Sequence, residues 1–141
     1  MNKQRVLFLC TGNSARSQMA EGLLRKYGSD IFEAHSAGLT PKGVNPLTVR
    51  AMDEVGIDIS NQTSKDINIY LGKTRFQYLI TLCDDADENC PTGLPGINAR
   101  MHWSFEDPAR QVGIEEEKLA KFREVRDLIE QKIKAWVAEQ S

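Results

Sequence analysis

The chain has 141 residues and a formal net charge of -2, from 18 lysines and arginines and 20 aspartates and glutamates. This balance leaves no basic footprint, so we expect no binding to nucleic acid or to an anionic membrane surface. No apolar run approaches the roughly 20 residues of a membrane span, and the N-terminus lacks a secretory signal pattern. We therefore predict a cytoplasmic monomer in which residues 1–141 form one domain.

Strands and helices alternate along the N-terminal half. The apolar run that precedes Cys10 is typical of a strand buried on both faces of a parallel sheet. Asn45 followed by Pro46 marks a helix start. The predicted elements are a strand over residues 5–9, a helix over 17–27, a strand over 31–37, a helix over 46–55 and a short helix within 64–71.

The C-terminal half continues this alternation. Residues 76–82 form an apolar, β-branched strand that ends at Cys83, and the proline- and glycine-rich residues 91–97 predict a loop. A short strand follows at 100–103, and apolar residues at spacings of three and four over 119–136 predict a long amphipathic helix. The fold class is thus α/β, a single domain with a four-stranded parallel sheet flanked by helices.

The segment between the first strand and the first helix has the features of an anion site. Loop N–H groups can converge on one centre, the helix N-terminus adds partial positive charge, and Arg16 offers a planar fork of donors. The same field stabilises a thiolate, so Cys10 is a candidate nucleophile. A merely structural cysteine would leave Arg16 unexplained. The candidate oxyanion-binding residues are Thr11, Gly12, Asn13, Ser14, Ala15, Arg16 and Ser17.

Two further cysteines, Cys83 and Cys90, suggest redox chemistry. Three cysteines are an odd count for a static disulfide framework, and cytosolic thiols are kept reduced, so a disulfide here would be transient and catalytic. Cys83 follows a strand, and the carboxyl ends of parallel strands form one ligand-binding edge. A pair of thiols there can supply two electrons without a redox cofactor.

The pattern Cys-x5-Arg-Ser after a strand resembles the phosphate-binding loop of the low-molecular-weight protein tyrosine phosphatase family. The segments CTGNSARSQMAEG, SAG, GVNP, TLCDDADENCP and HWSFEDPA extend the resemblance over nearly the whole chain, to the thioredoxin-coupled arsenate reductases of that fold. This resemblance implies reduction of arsenate to arsenite in arsenic detoxification, thioredoxin as reductant and no cofactor.

The resemblance also implies a role for each candidate residue. Cys10 would attack the arsenic of an arsenate dianion held by the loop and Arg16, and Asp107 would protonate the departing oxygen. Cys83 would then attack Cys10 to release arsenite, and Cys90 would attack Cys83. The resulting Cys83–Cys90 disulfide would be reduced by thioredoxin.

Supporting positions follow the same resemblance. Asn13 would hold the shape of the loop and Ser17 would stabilise the Cys10 thiolate, roles compatible with a turn residue and a helix cap. Ala15 stands where this family usually has another cysteine, which has no step in the scheme.

A potassium site is the one metal site that the resemblance raises. Some relatives use residues matching Asn13, Glu21 and Ser36 with an aspartate in place of Lys65, and the lysine argues against such a site unless Asp66 substitutes. The spacing of the second and third cysteines is unlike that of zinc ligands. We predict no metal.

The segment between the last two cysteines is expected to change conformation. If residues 83–90 form a helix, a rise of about 1.5 Å per residue places the two Cα atoms roughly 10 Å apart, beyond the ~7 Å limit of a disulfide. The segment must then unwind on oxidation, and its polar, aspartate-rich composition should make this inexpensive.

Two alternative functions remain open from the sequence. Cys10, Arg16 and Asp107 would suffice for a low-molecular-weight phosphatase, although Ala109 and Arg110 replace the aromatic residues that phosphotyrosine enzymes tend to carry there. The other alternative is an oxyanion-binding or redox-sensing module that does not turn over.

Overall fold

A computed structural model describes residues 3–90, 97 and 99–140. The strands are β1 (Gln4–Cys10), β2 (Phe32–Gly38), β3 (Tyr78–Thr81) and β4 (Ala99–His102). They form one parallel sheet in the order β2-β1-β3-β4. The helices are α1 (Arg16–Gly28), α2 (Pro46–Asp53), α3 (Asp84–Glu88) and α4 (Glu115–Gln140). The predicted α/β fold with four parallel strands flanked by helices is confirmed.

The boundaries of some elements differ from the prediction. The helix expected within residues 64–71 is a single 3-10 turn, Ile67–Ile69, which begins where the Asp66 carboxylate accepts from the N–H of Asn68. The C-terminal helix, by contrast, begins at Glu115, as expected from the glutamates at 115–117, which suit a helix N-terminus. The predicted loop over 91–97 lies, apart from residue 97, outside the described residues.

A cluster of aromatic side chains packs α4 against the sheet. Trp136 of α4 stacks on Phe32 of β2, with ring centroids 4.6 Å apart. The same ring contacts Tyr78 of β3 at 5.2 Å and Trp103, just after β4, at 5.7 Å. The aromatic rings thus join strands from both edges of the sheet to one helix. None of the helices among the described residues has the length and apolar character needed to span a membrane.

A partly buried ion pair joins the C-terminal end of α2 to α4. Arg126 of α4, 8% exposed, donates to the carbonyl oxygen of Ala51 at 2.8 Å and to the Glu54 carboxylate at 3.1 Å. Arg123 donates to both oxygens of the same carboxylate, at 2.8 and 2.6 Å. The hydrogen bonds from Arg123, with a smaller contribution from Arg126, lower the pKa of Glu54 to about 2.

We expect Glu54→Gln to lower the free energy of unfolding at pH 7 by about 1 kcal/mol, because Arg123 and Arg126 lose a shared carboxylate that is 35% exposed, while Arg126 keeps Asp127 as a partner. The carboxylate stabilises the fold above its unfolded pKa of 4.5, and this contribution disappears as the pH falls toward about 2. The difference in unfolding free energy between wild type and variant, measured from denaturation curves, should therefore shrink toward zero as the pH falls from 4.5 to about 2.

The matched control is Glu115→Gln, which removes an exposed partner of Arg50 on the same two helices. This change should alter the unfolding free energy by less than about 0.5 kcal/mol. Equal losses in the two variants would contradict a special role for Glu54.

Candidate active site

The carboxyl ends of β1 and β3 bring two cysteines to one edge of the sheet. Cys10 is the last residue of β1, while Cys83 lies just beyond β3 and directly before α3. Both are buried free thiols. The strands are neighbours, with Leu9 paired to Thr81. The sheet edge predicted to carry both thiols is therefore present.

The Cys10 sulfur lies beside the start of α1. Its Sγ is 2.8 Å from the Ser17 hydroxyl oxygen. Because α1 begins at Arg16, its N-terminal end, which carries partial positive charge, lies close to Cys10. The candidate nucleophile and the helix N-terminus are thus neighbours at the anion loop.

Asn13 organises the loop between β1 and α1. It is fully buried and has a left-handed φ of 47°, which asparagine tolerates better than most residues. Its amide group donates to the hydroxyls of Ser17 and Ser36 at 2.7 and 3.0 Å. Its carbonyl oxygen accepts from Gln18 at 3.0 Å and from the Lys65 N–H at 2.8 Å. One side chain thus ties the loop to α1 and β2.

The end of β2 supports the loop from the other side. The N–H of Thr40 donates to the carbonyl of Thr11 at 2.8 Å. A Cβ at Gly38 would lie 2.7 Å from the Thr11 carbonyl oxygen and 2.9 Å from the Asn13 nitrogen. Only glycine allows this close approach.

Arg16 and Asp107 face each other across the anion loop. The Arg16 guanidinium donates to the Phe105 carbonyl at 3.1 Å and lies 3.8 Å from Asp107 Oδ2. The other carboxylate oxygen, Oδ1, accepts from the N–H of Ala109 at 3.0 Å. Asp107 therefore caps a turn with one oxygen and presents the other to Arg16.

A cavity of about 360 Å³ opens over the Cys10 loop. It is lined by Arg16 and Asp107, and also by Lys42 and Arg110, which the sequence analysis did not select. Among the described residues, neither of these two cations has a carboxylate partner within ion-pair distance. Their positive charge is thus available to an anion that enters the cavity.

A second cavity, of about 330 Å³, adjoins the first and contains Cys83. The two cavities share Thr11, Arg16, Asp107 and Arg110. Thr11 connects the loop to the second thiol, with its Oγ1 3.5 Å from Cys83 Sγ. Cys83 therefore faces the cleft next to the anion loop.

Cys90 lies after the C-terminal end of α3, on the same segment as Cys83. It is half-buried. Burial raises the pKa of Cys90, which disfavours its thiolate while α3 is folded.

The residues matched to a potassium site surround Glu21. This buried carboxylate accepts from Ser36 and pairs with Arg25 at 2.6 Å and with the Lys65 ammonium at 3.5 Å. Asp66 caps the following 3-10 turn. Two protein cations thus neutralise Glu21. The described part of the chain has no cluster of three or more His, Cys, Asp or Glu that could hold a metal ion.

Comparison with known proteins agrees with this geometry. The family model of the low molecular weight phosphotyrosine protein phosphatases matches residues 5–141. An arsenate reductase of Halalkalibacterium halodurans is 50% identical over 136 residues, which cover 96% of each protein. The arsenate reductase of Bacillus subtilis is 49% identical over 134 residues, or 95% of each.

A solved structure described as an arsenate reductase in the phosphate binding state has the same fold. It matches with a TM-score of 0.81 and 34% identity, over 98% of this chain and 99% of the other. The resemblance seen in the sequence motifs is thereby confirmed. This chain belongs to the low molecular weight phosphotyrosine protein phosphatase family, and its relatives at about 50% identity are named arsenate reductases.

Proposed function

We propose that this protein reduces arsenate to arsenite with three cysteines in turn and is regenerated by thioredoxin. The observation that carries this proposal is the pair of adjoining cavities, one over Cys10 and one containing Cys83. Hydrolysis of a phosphate ester needs one nucleophilic thiol, whereas reduction of As(V) to As(III) needs two electrons. A second thiol beside the anion loop can supply them. The names of the relatives support the same substrate.

The first step is attack by the Cys10 thiolate on the arsenic of bound arsenate. A sulfur–arsenic bond forms and one arsenate oxygen departs as water. Backbone N–H groups of residues 11–16 and the Arg16 guanidinium hold the remaining oxygens and stabilise the developing charge. Asp107, whose Oδ2 lies 3.8 Å from Arg16, supplies a proton to the departing oxygen.

The second step transfers two electrons to arsenic. The Cys83 thiolate attacks the Cys10 sulfur, a Cys10–Cys83 disulfide forms, and the sulfur–arsenic bond breaks. Its electron pair passes to arsenic, which leaves as arsenite. The shared lining of the two cavities supports a short path between the sulfurs.

The third step moves the disulfide away from the anion loop. The Cys90 thiolate attacks Cys83 and expels Cys10 as a thiolate, leaving a Cys83–Cys90 disulfide. Because burial raises the pKa of Cys90 while α3 is folded, we expect unwinding of α3 to activate this thiol. Thioredoxin then returns two electrons and two protons.

We further propose that the chain acts as a single-domain, cytoplasmic monomer without a cofactor.

A weak phosphate-ester hydrolase activity is a second candidate function. Cys10, Arg16 and Asp107 line one cavity and provide a nucleophile, an anion ligand and an acid. Arsenate and phosphate have nearly the same shape, so the cavity does not distinguish them strongly.

Cys83→Ser and Cys90→Ser are each expected to reduce steady-state arsenate turnover by at least about 100-fold, because each removes a thiol that the disulfide relay requires. The assay couples arsenate reduction to thioredoxin, thioredoxin reductase and NADPH oxidation. Both variants should keep hydrolysis of p-nitrophenyl phosphate, which depends on Cys10.

Cys10→Ser is the control and should lose both activities. Full arsenate turnover by Cys83→Ser would contradict the relay. Burst reduction of one equivalent by wild type without further NADPH use would instead indicate a sensor.

Lys42→Gln and Arg110→Gln are each expected to raise the KM for arsenate about three- to tenfold with little change in kcat. Each change removes a cation that attracts the dianion into the cavity without acting on the reacting bond. Initial rates at low and high salt measure the effect, which should shrink as salt screens the charge.

The matched control is Lys3→Gln, an exposed lysine that precedes β1 at the end opposite Cys10. It should leave the KM within about twofold, since it lies more than a Debye length of about 10 Å from the loop. An equal rise in KM for Lys3→Gln would rule out a local role for the two cavity cations.

A further inference from the structure

Two side chains of the edge strand β4 hold the short helix that separates Cys83 from Cys90. Arg100 contacts Asp87 of α3 twice, through the Asp87 backbone carbonyl and through its carboxylate at 3.1 Å. The Thr81 hydroxyl of β3 donates to the same carboxylate at 3.1 Å. The hydrogen bond from Arg100, followed by that from Thr81, lowers the pKa of Asp87. Asp87 is therefore an ionised anchor of α3 on the sheet.

His102 forms the second contact. Its Nε2 lies 3.0 Å from the Asp84 carboxylate, at the first residue of α3, and its Nδ1 lies 2.8 Å from the Thr81 hydroxyl. The Thr81 hydroxyl thus lies within hydrogen-bond distance of both the His102 ring and the Asp87 carboxylate. Thr81 then connects the two contacts into one network, which we call the β4 clamp: Arg100, His102 and Thr81 on the sheet, with Asp84 and Asp87 on α3.

The contacts of the β4 clamp belong to the form in which Cys83 and Cys90 are both thiols. A disulfide needs Cα atoms within about 7 Å. The helix is shorter than the expected 83–90, since it covers only Asp84–Glu88, but its five residues alone rise roughly 7 Å and the two cysteines lie beyond its two ends. A Cys83–Cys90 disulfide therefore requires α3 to unwind, including the hydrogen bond from Asp87 N to the Cys83 carbonyl at 3.1 Å. Unwinding moves Asp84 and Asp87 away from their partners.

We propose that Arg100 and His102 are positioning residues that hold α3 closed and thereby set the balance between dithiol and Cys83–Cys90 disulfide. While closed, the β4 clamp keeps Cys83 beside Thr11 and the anion loop; when it opens, Cys90 can reach Cys83. This inference rests on the proposed relay. It assigns a function to two residues of β4, of which Arg100 also acts on the Cys90 thiol, its charge opposing the rise in the Cys90 pKa that burial causes.

The experiment measures the thiol–disulfide equilibrium in a Cys10→Ser background. Glutathione disulfide oxidises Cys83 and Cys90 to one disulfide and is itself reduced to two glutathione thiols, so atoms and electrons balance. After acid quenching and alkylation, mass spectrometry gives the oxidised fraction. Arg100→Met with His102→Phe should shift the equilibrium constant about tenfold toward the disulfide, equivalent to about 30 mV.

The matched control is Arg5→Met, which removes the Arg5–Glu33 ion pair at the opposite end of the sheet. The Arg5 and Glu33 side chains are 44% and 46% exposed, which is close to the 45% and 38% of Arg100 and Asp87. Arg5→Met should leave the equilibrium unchanged, and Arg100→Lys, which keeps a cation near Asp87, should recover part of the loss from Arg100→Met.

Amide exchange of the reduced proteins gives an independent measurement of the β4 clamp. The double variant should exchange the N–H groups of residues 87 and 89 faster than wild type, because α3 opens more often. An unchanged equilibrium and unchanged exchange would overturn the positioning role, while leaving the relay intact. Absence of any Cys83–Cys90 disulfide, in wild type as well, would overturn the relay and the redox role of the β4 clamp together.

Discussion

The parallel pairing of β1 with β3 is the constraint on which the site depends. Neighbouring parallel strands end at the same edge, so pairing of Leu9 with Thr81 brings the next residues of both strands together. The N–H of Leu82 extends the ladder by donating to the Leu9 carbonyl at 2.9 Å. Cys10 and Cys83 thus reach one cleft from positions far apart in sequence. An antiparallel β3 would deliver its cysteine to the opposite edge.

The two cavities of the cleft differ in charge. Arg16, Arg110 and Asp107 line both, Lys42 lines only the cavity over the anion loop, and Asp84, Asp85 and Glu106 line only the cavity that contains Cys83. A dianion is therefore attracted more strongly to the first cavity than to the second, whereas arsenite is largely uncharged near neutral pH. This distribution suits an anionic reactant held over Cys10 and a product with little electrostatic reason to stay.

Local features were the most predictable from sequence. The loop from Cys10 to Ser17 is continuous, so its N–H groups, its arginine and the adjacent helix start can be inferred together. The shared sheet edge followed from strand topology. Lys42 and Arg110 were not predicted, because they reach the cavity from separate turns and carry no periodic or spacing signal. The short helix within 64–71 is present as a 3-10 turn over Ile67–Ile69, and the sequence did not show that it would be limited to one turn.

The aspartates after Cys83 make contacts that could not be predicted from the sequence. Their polarity predicted an inexpensive unwinding because little apolar surface is buried. In the structure Asp84, Asp85 and Asp87 contact His102, Thr11 and Arg100 respectively. These partners come from other strands and from the anion loop, so no local pattern reveals them. Polar contacts as well as burial therefore oppose the opening of α3.

The most direct test of the account is a single turnover without an external reductant. Fully reduced protein is mixed with one equivalent of arsenate, quenched in acid and alkylated, and arsenite and disulfides are then quantified by mass spectrometry. We expect one arsenite per chain, a Cys83–Cys90 disulfide and Cys10 recovered as a free thiol. Arsenite release with Cys83 still reduced, or no arsenite at all, would contradict it.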